Sequence, residues 1–536
     1  MNEILENNFN ENFLKLENDV KNASFIAIDA EFTGIQSGED FKYSLFDTVD
    51  IRYQNIKNNI QPFVIIQCGI ATFQHVPREN RYNVQCYSFY LMPRSVPYNN
   101  RQFSWQVAAL EFLSANKFDF GKFANSGISY LDEIDEKLLK QHLDEGNLSK
   151  NMEHLSYEEE DDFKDCKNKV FNWLKRSPNQ VSLEIKTASP ILQYMVHREL
   201  RSSFNNIWTV SGCKSVTVLR VSKDIRSVLE KEEGGLLEKG LLDCYIGFSK
   251  VFKLLTNAKK PIVGHNVFLD LMFIHKQFYR PLPNKYIEFK NNIHTLFPQI
   301  YDTKFMSIEL KKVLNKNANW KINSLSHIYE YFTLYRGKYC IVNSPTVQLE
   351  NDSLNEHFYH NAGWDAYYAG YIFIKMGFLF TVGKYGKGLA DRTVTHTELM
   401  SAIKDFANSI NVIRGNETYL KLDGDDPSLT RSEWLHVKLK SPSLDIKEVA
   451  VQLSSFGPVD VMPFARKRVL VAVANHRSAL DILNHFKNNT ELQVARYNPI
   501  RHAPPSRVFL WSGIVLSGGM IAWMMHRIFK KSVAPN

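Results

Sequence analysis

The most constraining stretch of this chain is Phe25-Ile26-Ala27-Ile28-Asp29-Ala30-Glu31-Phe32, an apolar run that ends on two carboxylates separated by one small residue. The run predicts an otherwise buried strand. Side chains two apart in a strand leave on the same face, so Asp29 and Glu31 would project together. Like charges that close disfavour each other's ionisation, and a bound divalent cation relieves the conflict. The same pattern also describes a strand running into a solvated loop, so its meaning depends on matching ligands further along the chain.

The 536 residues suffice for roughly two to four domains. Hydrophobic residues at 44% and aromatics at 13% can fill large cores, and 23% charged residues make no case for disorder. A net charge of +8, thinly spread, permits nucleic acid or a membrane surface as partner. Cys68, Cys86, Cys166, Cys213, Cys244 and Cys340 lie far apart without a Cys-x-x-Cys pair, which suggests neither zinc nor a disulfide framework and fits a reducing compartment. The first twenty residues lack the basic start and apolar run of a secretory signal and the Arg-rich character of a transit peptide, so the expectation is a cytosolic amino terminus.

At the other end, residues 508–525 carry no charge and would span about 27 Å as a helix. Trp511 and Trp523 lie near its two ends, Arg501, His502 and Arg507 precede it, and His526, Arg527, Lys530 and Lys531 follow. This reads as a single-pass tail anchor. A buried helix is the plainer alternative. A span diluted by Gly and Ser and followed by a basic tail suits the mitochondrial outer membrane, with the endoplasmic reticulum as the alternative. Gly513 and Ser517 form a small-x-x-x-small pair able to pack on another helix.

Between these ends, residues 63–73 and 87–92 read as further strands, and 106–115 and 118–123 as helices. The acidic block Glu158 to Asp162 reads as a solvated helix face or a mobile loop, without chemistry. Residues 167–225 look like a small inserted domain whose His197, Arg198 and Arg201 could touch a phosphate backbone or simply face water. The boundaries predicted are 1–166 and 226–390 for two parts of one α/β domain, 391–432 for a connecting segment, 433–498 for a further module, 499–507 for an extended linker, 508–525 for the anchor and 526–536 for a basic tail. The 433–498 module runs strand, helix, strand, strand, helix, strand, the plan of an RNA-recognition motif. Its third strand, Arg468-Val469-Leu470-Val471-Ala472-Val473, lacks the aromatics on which bases stack, so it reads as a degenerate, packing version.

Two motifs complete what Asp29 and Glu31 begin. Gly264-His265-Asn266-Val267-Phe268-Leu269-Asp270 puts a carboxylate at the start of an apolar helix after a strand and turn, and His360-Asn361-Ala362-Gly363-Trp364-Asp365 places an imidazole five residues before another. Singly, each has an ordinary reading: an Asp serving a helix dipole, a surface His near an Asp. In this order the set resembles the DEDDh exonuclease family of ribonuclease-H-like fold, and more specifically its poly(A)-specific ribonuclease branch. FIAIDAEFTGI, PIVGHNVFLDLMFIHKQFYRPLP, Tyr301-Asp302-Thr303-Lys304 and HNAGWDAYYAG carry the likeness, which covers most of residues 20 to 385.

The resemblance implies a mixed sheet flanked by helices, two Mg²⁺ ions (or Mn²⁺) and stepwise release of nucleoside 5′-monophosphates from an RNA 3′ end. It assigns Asp29, Glu31 and Asp365 to one ion, Asp29 and Asp270 to the second, and His360 as general base. Phe32, His265 and Asn266 would lie against the terminal nucleotide, though packing or turn formation explains each equally well. The anchor is a departure from the soluble branch and resembles a membrane-tethered one. That likeness implies Piwi-bound piRNA precursors as substrate, a Tudor-domain scaffold as partner and, from the wider branch, a homodimer. The competing expectations are a membrane-bound deadenylase of messenger RNA and an inactive RNA-binding tether.

Overall fold

In this computed structural model the described residues are 1–36, 43–96, 98–146, 155, 157–176, 180–212, 214–314, 320, 323–350, 359–386, 393–428, 434–440, 445–502, 520 and 522–525. The chain divides into two compact units. The first comprises residues 1–41, 53–411 and 419–425, and the second residues 42–52, 412–418 and 426–536.

The first unit is built on a mixed sheet. Its strands begin with β1 (Asn2–Ile4), β2 (Phe25–Phe32), β3 (Ile65–Val76) and β4 (Arg81–Tyr90). β5 (Ser182–Lys186), β6 (Ile207–Gly212) and β7 (Ser215–Arg220) form a separate small sheet in the insertion. β8 (Ile262–Gly264), β9 (Ile300–Asp302) and β10 (Thr346–Leu349) return to the main one. β2, β3 and β4 are antiparallel neighbours, and β8 and β9 extend the sheet in parallel beyond β2. The outer edge of β4 is shared, with β10 along Arg81 to Val84 and β1 along Tyr87 to Phe89.

β3 is buried from Ile65 through Phe73. Such a strand has no solvated face, which is why its sequence, apart from the buried polar residues Gln67 and Thr72, is apolar or small instead of alternating. One cover layer is the helix Ala362–Tyr385, buried from Ala362 through Thr381 except at the half-buried Tyr371. A helix apolar on every side must be enclosed. Here Phe25, Phe73 and Phe373 join it to the sheet, with Phe25 and Phe73 stacked at 4.6 Å, and Ile328, Phe332, Leu399 and Ile403 close over its far side.

The insertion has its own core, which reaches past the expected 167–225. Leu131, Leu139 and Leu143 before it and Leu241, Tyr245 and Ile246 after it join Trp173, Leu192 and Val216. Glu158, Glu159 and Glu160 of the acidic block lie in the first turn of the helix Tyr157–Arg176, where their charge complements the amino-terminal dipole. The basic face anticipated there is not formed. His197 is buried, with its ring nitrogens on the Thr209 and Ser211 hydroxyls at 2.7 and 2.9 Å. Arg201 lies over the Trp208 ring at 3.8 Å and pairs with Glu233. Only Arg198 of the three is exposed, and it pairs with Glu238 at 3.3 Å.

β11 (Ser409–Asn411) and β12 (Tyr419–Lys421) form a short hairpin that belongs to the first unit. In the second unit, β13 (Leu435–Leu439), β14 (Val459–Ala465), β15 (Arg468–Val473) and β16 (Leu492–Arg496) pair in the order β14-β15-β13-β16. Helices Ile446–Ser454 and His476–His485 join Leu435, Val437, Val469 and Val471 in one core. On the opposite face Leu470 and Ala472 are also buried, and His436 stacks on His502 at 4.2 Å. The chain's own following segment thus covers part of the face that an RNA-binding version would leave open.

Among the described residues no helix is long and apolar enough to cross a membrane. Of the expected anchor, residues 508–519 and 521 lie outside the described set.

Candidate active site

Asp29 and Glu31 leave β2 on one face, and Asp365 meets them there from the first turn of the helix Ala362–Tyr385. Ligand oxygens of the three approach within 4.8 Å of one another. Asp29 and Glu31 are half-buried and Asp365 is buried. His360, immediately before the cap residue, has a left-handed φ of 62°, and the Asn361 side chain accepts from the Gly363 N–H at 3.1 Å. This tight entry, with the Asp365 N–H on the Asn361 carbonyl at 2.9 Å, turns the first helical turn towards β2.

Asp270 comes from the helix Phe268–Ile274, which follows β8 through a turn that uses a left-handed Asn266 at φ 63°. β8 runs parallel to β2 with Val263 beside Ala27, so the turn delivers Asp270 next to the strand end, where the Ala30 N–H bonds its carboxyl. Asp270 is outside the 4.8 Å set but close enough to repel Asp29 and Glu31.

The electrostatics follow from this crowding. Burial first, then the neighbouring carboxylates, push Asp29 and Glu31 well above the ordinary carboxylate range. Burial pushes Asp270 and Asp365 up to about 7. No cationic side chain enters among the causes of these shifts, so relief is left to an added cation or to protons. An all-carboxylate oxygen set is the donor chemistry that hard divalent ions such as Mg²⁺ and Mn²⁺ require.

The other anticipated site residues are placed differently. His360 is exposed, with its ring edge-on to Phe112 at 4.7 Å, and partial burial lowers its pKa. Phe32 stacks on the buried Phe273 at 4.3 Å. His265 has both ring nitrogens engaged, on the Thr303 hydroxyl at 3.0 Å and the Asn323 carbonyl at 3.2 Å, and burial lowers its pKa to about 3. The Asn266 side-chain Oδ1 accepts from the Asn411 side-chain amide at 2.8 Å. His265 and Asn266 are therefore tied into the wall behind the carboxylates.

That wall is organised by Asp302 at the end of β9, part of the Tyr301–Lys304 motif but given no role of its own from the sequence. Its Oδ1 accepts from the N–H groups of Asn266 at 2.8 Å and Lys304 at 2.9 Å, and its Oδ2 from that of Asn411 at 2.9 Å. An Asp three residues before an apolar helical run is a capping signal that would have singled it out.

Residues 4–373 match the family model described as CAF1 family ribonuclease. The chain belongs to the CAF1 ribonuclease family. Among relatives of the chain, the pre-piRNA 3′-exonuclease trimmer of Bombyx mori is 35% identical over 532 residues, 98% of this chain and 99% of its own length. The mouse protein named poly(A)-specific ribonuclease PNLDC1 is 28% identical over 97% of this chain and 98% of its own. Human poly(A)-specific ribonuclease PARN is also 28% identical, over 81% of this chain and 70% of its own. The Mg²⁺- and Mn²⁺-bound form of S. pombe Pop2p aligns with 71% of this chain and 94% of its own, at 15% identity and a TM-score of 0.36.

Proposed function

We propose that this chain is a divalent-metal-dependent 3′-to-5′ exoribonuclease of the DEDDh type that shortens the 3′ ends of piRNA precursors. The observation that carries the reading is the meeting of Asp29, Glu31 and Asp365 within 4.8 Å, with Asp270 alongside. The end-to-end likeness to the silkworm trimmer supports the choice of substrate.

In this proposal Asp29, Glu31 and Asp365 would hold one ion, and Asp270 with Asp29 would hold a second. When bound, such ions stabilise charge on the attacking and leaving oxygens of a phosphodiester. His360, whose pKa is lowered, is neutral near pH 7 and accepts the proton of the attacking water. The water oxygen bonds to the terminal phosphorus as the P–O3′ bond breaks, releasing a nucleoside 5′-monophosphate and leaving on the shortened chain an O3′ that takes up a proton from solvent. Phe32, anchored by Phe273, offers an aromatic edge at the end of β2 for the terminal nucleotide.

The apolar, charge-free segment 508–525 supports a tail anchor in the mitochondrial outer membrane, with a Tudor-domain scaffold as partner on that membrane. A fusion carrying only residues 499–536 tests this: delivery to the endoplasmic reticulum defeats the mitochondrial assignment. Homodimerisation is proposed from the same branch and is tested by sedimentation of the purified chain.

A second reading, a membrane-bound deadenylase, draws on the likeness to the mouse and human poly(A)-specific ribonucleases. Full-length protein given Mg²⁺ and either naked poly(A) or a Piwi-loaded, 3′-extended guide RNA separates the two. Stepwise shortening of the loaded guide is expected. Strong selectivity for naked adenosine tails would favour the deadenylase, and unchanged activity in Glu31→Ala would defeat both.

A further inference from the structure

Strand β3 contributes no carboxylate, yet two of its residues stand directly across from the two that β2 contributes. Gly69 pairs with Asp29, and Gln67 pairs with Glu31. Cross-strand partners share a face of the sheet, so Gly69 and Gln67 face the same side as the acids. That side is where the helix Ala362–Tyr385 lies, and both residues meet its first turn.

At Gly69 the strand and helix backbones touch. A Cβ there would lie 1.8 Å from the Ala362 carbonyl oxygen, 2.0 Å from its carbon and 2.5 Å from the Gly363 nitrogen. No side chain other than hydrogen fits without moving the helix entry. At Gln67, 1% exposed, the side-chain Oε1 accepts the Ala362 N–H at 3.0 Å. This N–H is one of the donors that a helix start leaves without an intrahelical partner. Ala362 precedes Asp365 by three residues, so whatever sets the height and tilt of Ala362 sets the distance from Asp365 to Asp29 and Glu31.

We infer that Gly69 and Gln67 are positioning residues for the carboxylate set: Gly69 lets the Asp365 helix approach β2 to ligand distance, and Gln67 holds its first turn there. The inference rests on the metal-centre reading given under Proposed function. It differs from a general packing role because the rest of the helix has its own seat. Gly370 lies against the Phe73 ring, and the buried run from Ile372 to Thr381 is enclosed independently of the first turn. Disturbing the entry displaces the ligand while the helix stays bound.

The test uses purified full-length chain without RNA, with Mn²⁺ affinity read by titration calorimetry, followed by RNA hydrolysis. Gln67→Met, similar in volume but without the acceptor, is expected to bind Mn²⁺ about tenfold more weakly and to lower kcat by a similar factor with KM for RNA unchanged. Its melting temperature in EDTA should stay within about 4 °C of the unsubstituted protein. Gly69→Ala is expected to weaken Mn²⁺ binding about a hundredfold. Either variant folding and binding Mn²⁺ as tightly as the unsubstituted chain overturns the inference. Asp365→Asn is the reference: if it too binds Mn²⁺ and hydrolyses RNA normally, the metal-centre reading itself has failed. If Asp365→Asn alone loses both, only the positioning role has failed.

Discussion

Asp302 and the Asp29–Glu31–Asp365 cluster are acidic centres in the same unit with opposite solutions to burial. Asp302, 0% exposed, is surrounded by backbone N–H donors from Asn266, Lys304, Phe305 and Asn411, which offset the upward push of burial on its pKa. In the cluster, burial and mutual repulsion act in the same direction, and the Ala30 and His360 backbone groups supply the opposing hydrogen bonds. A carboxylate whose oxygens are saturated by the backbone is a tie between segments. Carboxylates that converge with their charges uncompensated form a site that is complete only with a cation.

The sharpest way to break this comparison is activity. Asp365→Asn or Glu31→Gln should slow RNA hydrolysis by about three orders of magnitude, about 4 kcal/mol of barrier, measured in single turnover. Their melting temperature in EDTA should stay level or rise, since each removes a like charge. Asp302→Ala should do the reverse of a ligand mutation and lower stability by about 4 kcal/mol in urea unfolding, because several buried N–H groups lose their acceptor together. A neutral Asp302→Ala would erase the distinction between the two centres.

Metal linkage sharpens the comparison further. Mn²⁺ at a hundred times its dissociation constant should stabilise the unsubstituted chain by about 2.7 kcal/mol, and Asp365→Asn hardly at all, as read by thermal unfolding. The smallest effect expected is in pH. The folded pKa of Asp270 and Asp365 is raised to about 7, above the ordinary unfolded value of about 3.9. The folded state then holds protons that the unfolded chain releases, so their contribution makes metal-free stability fall as pH rises from about 4 to about 7. The slope should be shallower in Asp365→Asn.

Much of this was legible from residue order. The predicted strand at 25–32 forms as Phe25–Phe32, and the strand within 261–266 forms as Ile262–Gly264 before the helix that carries Asp270. These runs are long or punctuated enough for local preferences to decide them. β1 and β10 were invisible because three or four residues of mixed polarity form strands only when an edge, here that of β4, supplies hydrogen-bond partners. The basic residues at 197–201 misled for the reverse reason. Helical spacing counts charges without showing that Thr209, Trp208 and Glu233 come from elsewhere to consume them.

The amino-acid order alone determined which acids are available and on which elements they ride, since apolar periodicity, turn residues and the same-face rule for alternate strand positions are local properties. Only the tertiary structure decided how close those acids come, that Asp302 is held as a tie, and that Gly69 and Gln67 lie across from Asp29 and Glu31. Strand register and helix approach depend on backbones tens to hundreds of residues apart meeting at van der Waals distance, and no local pattern encodes that separation.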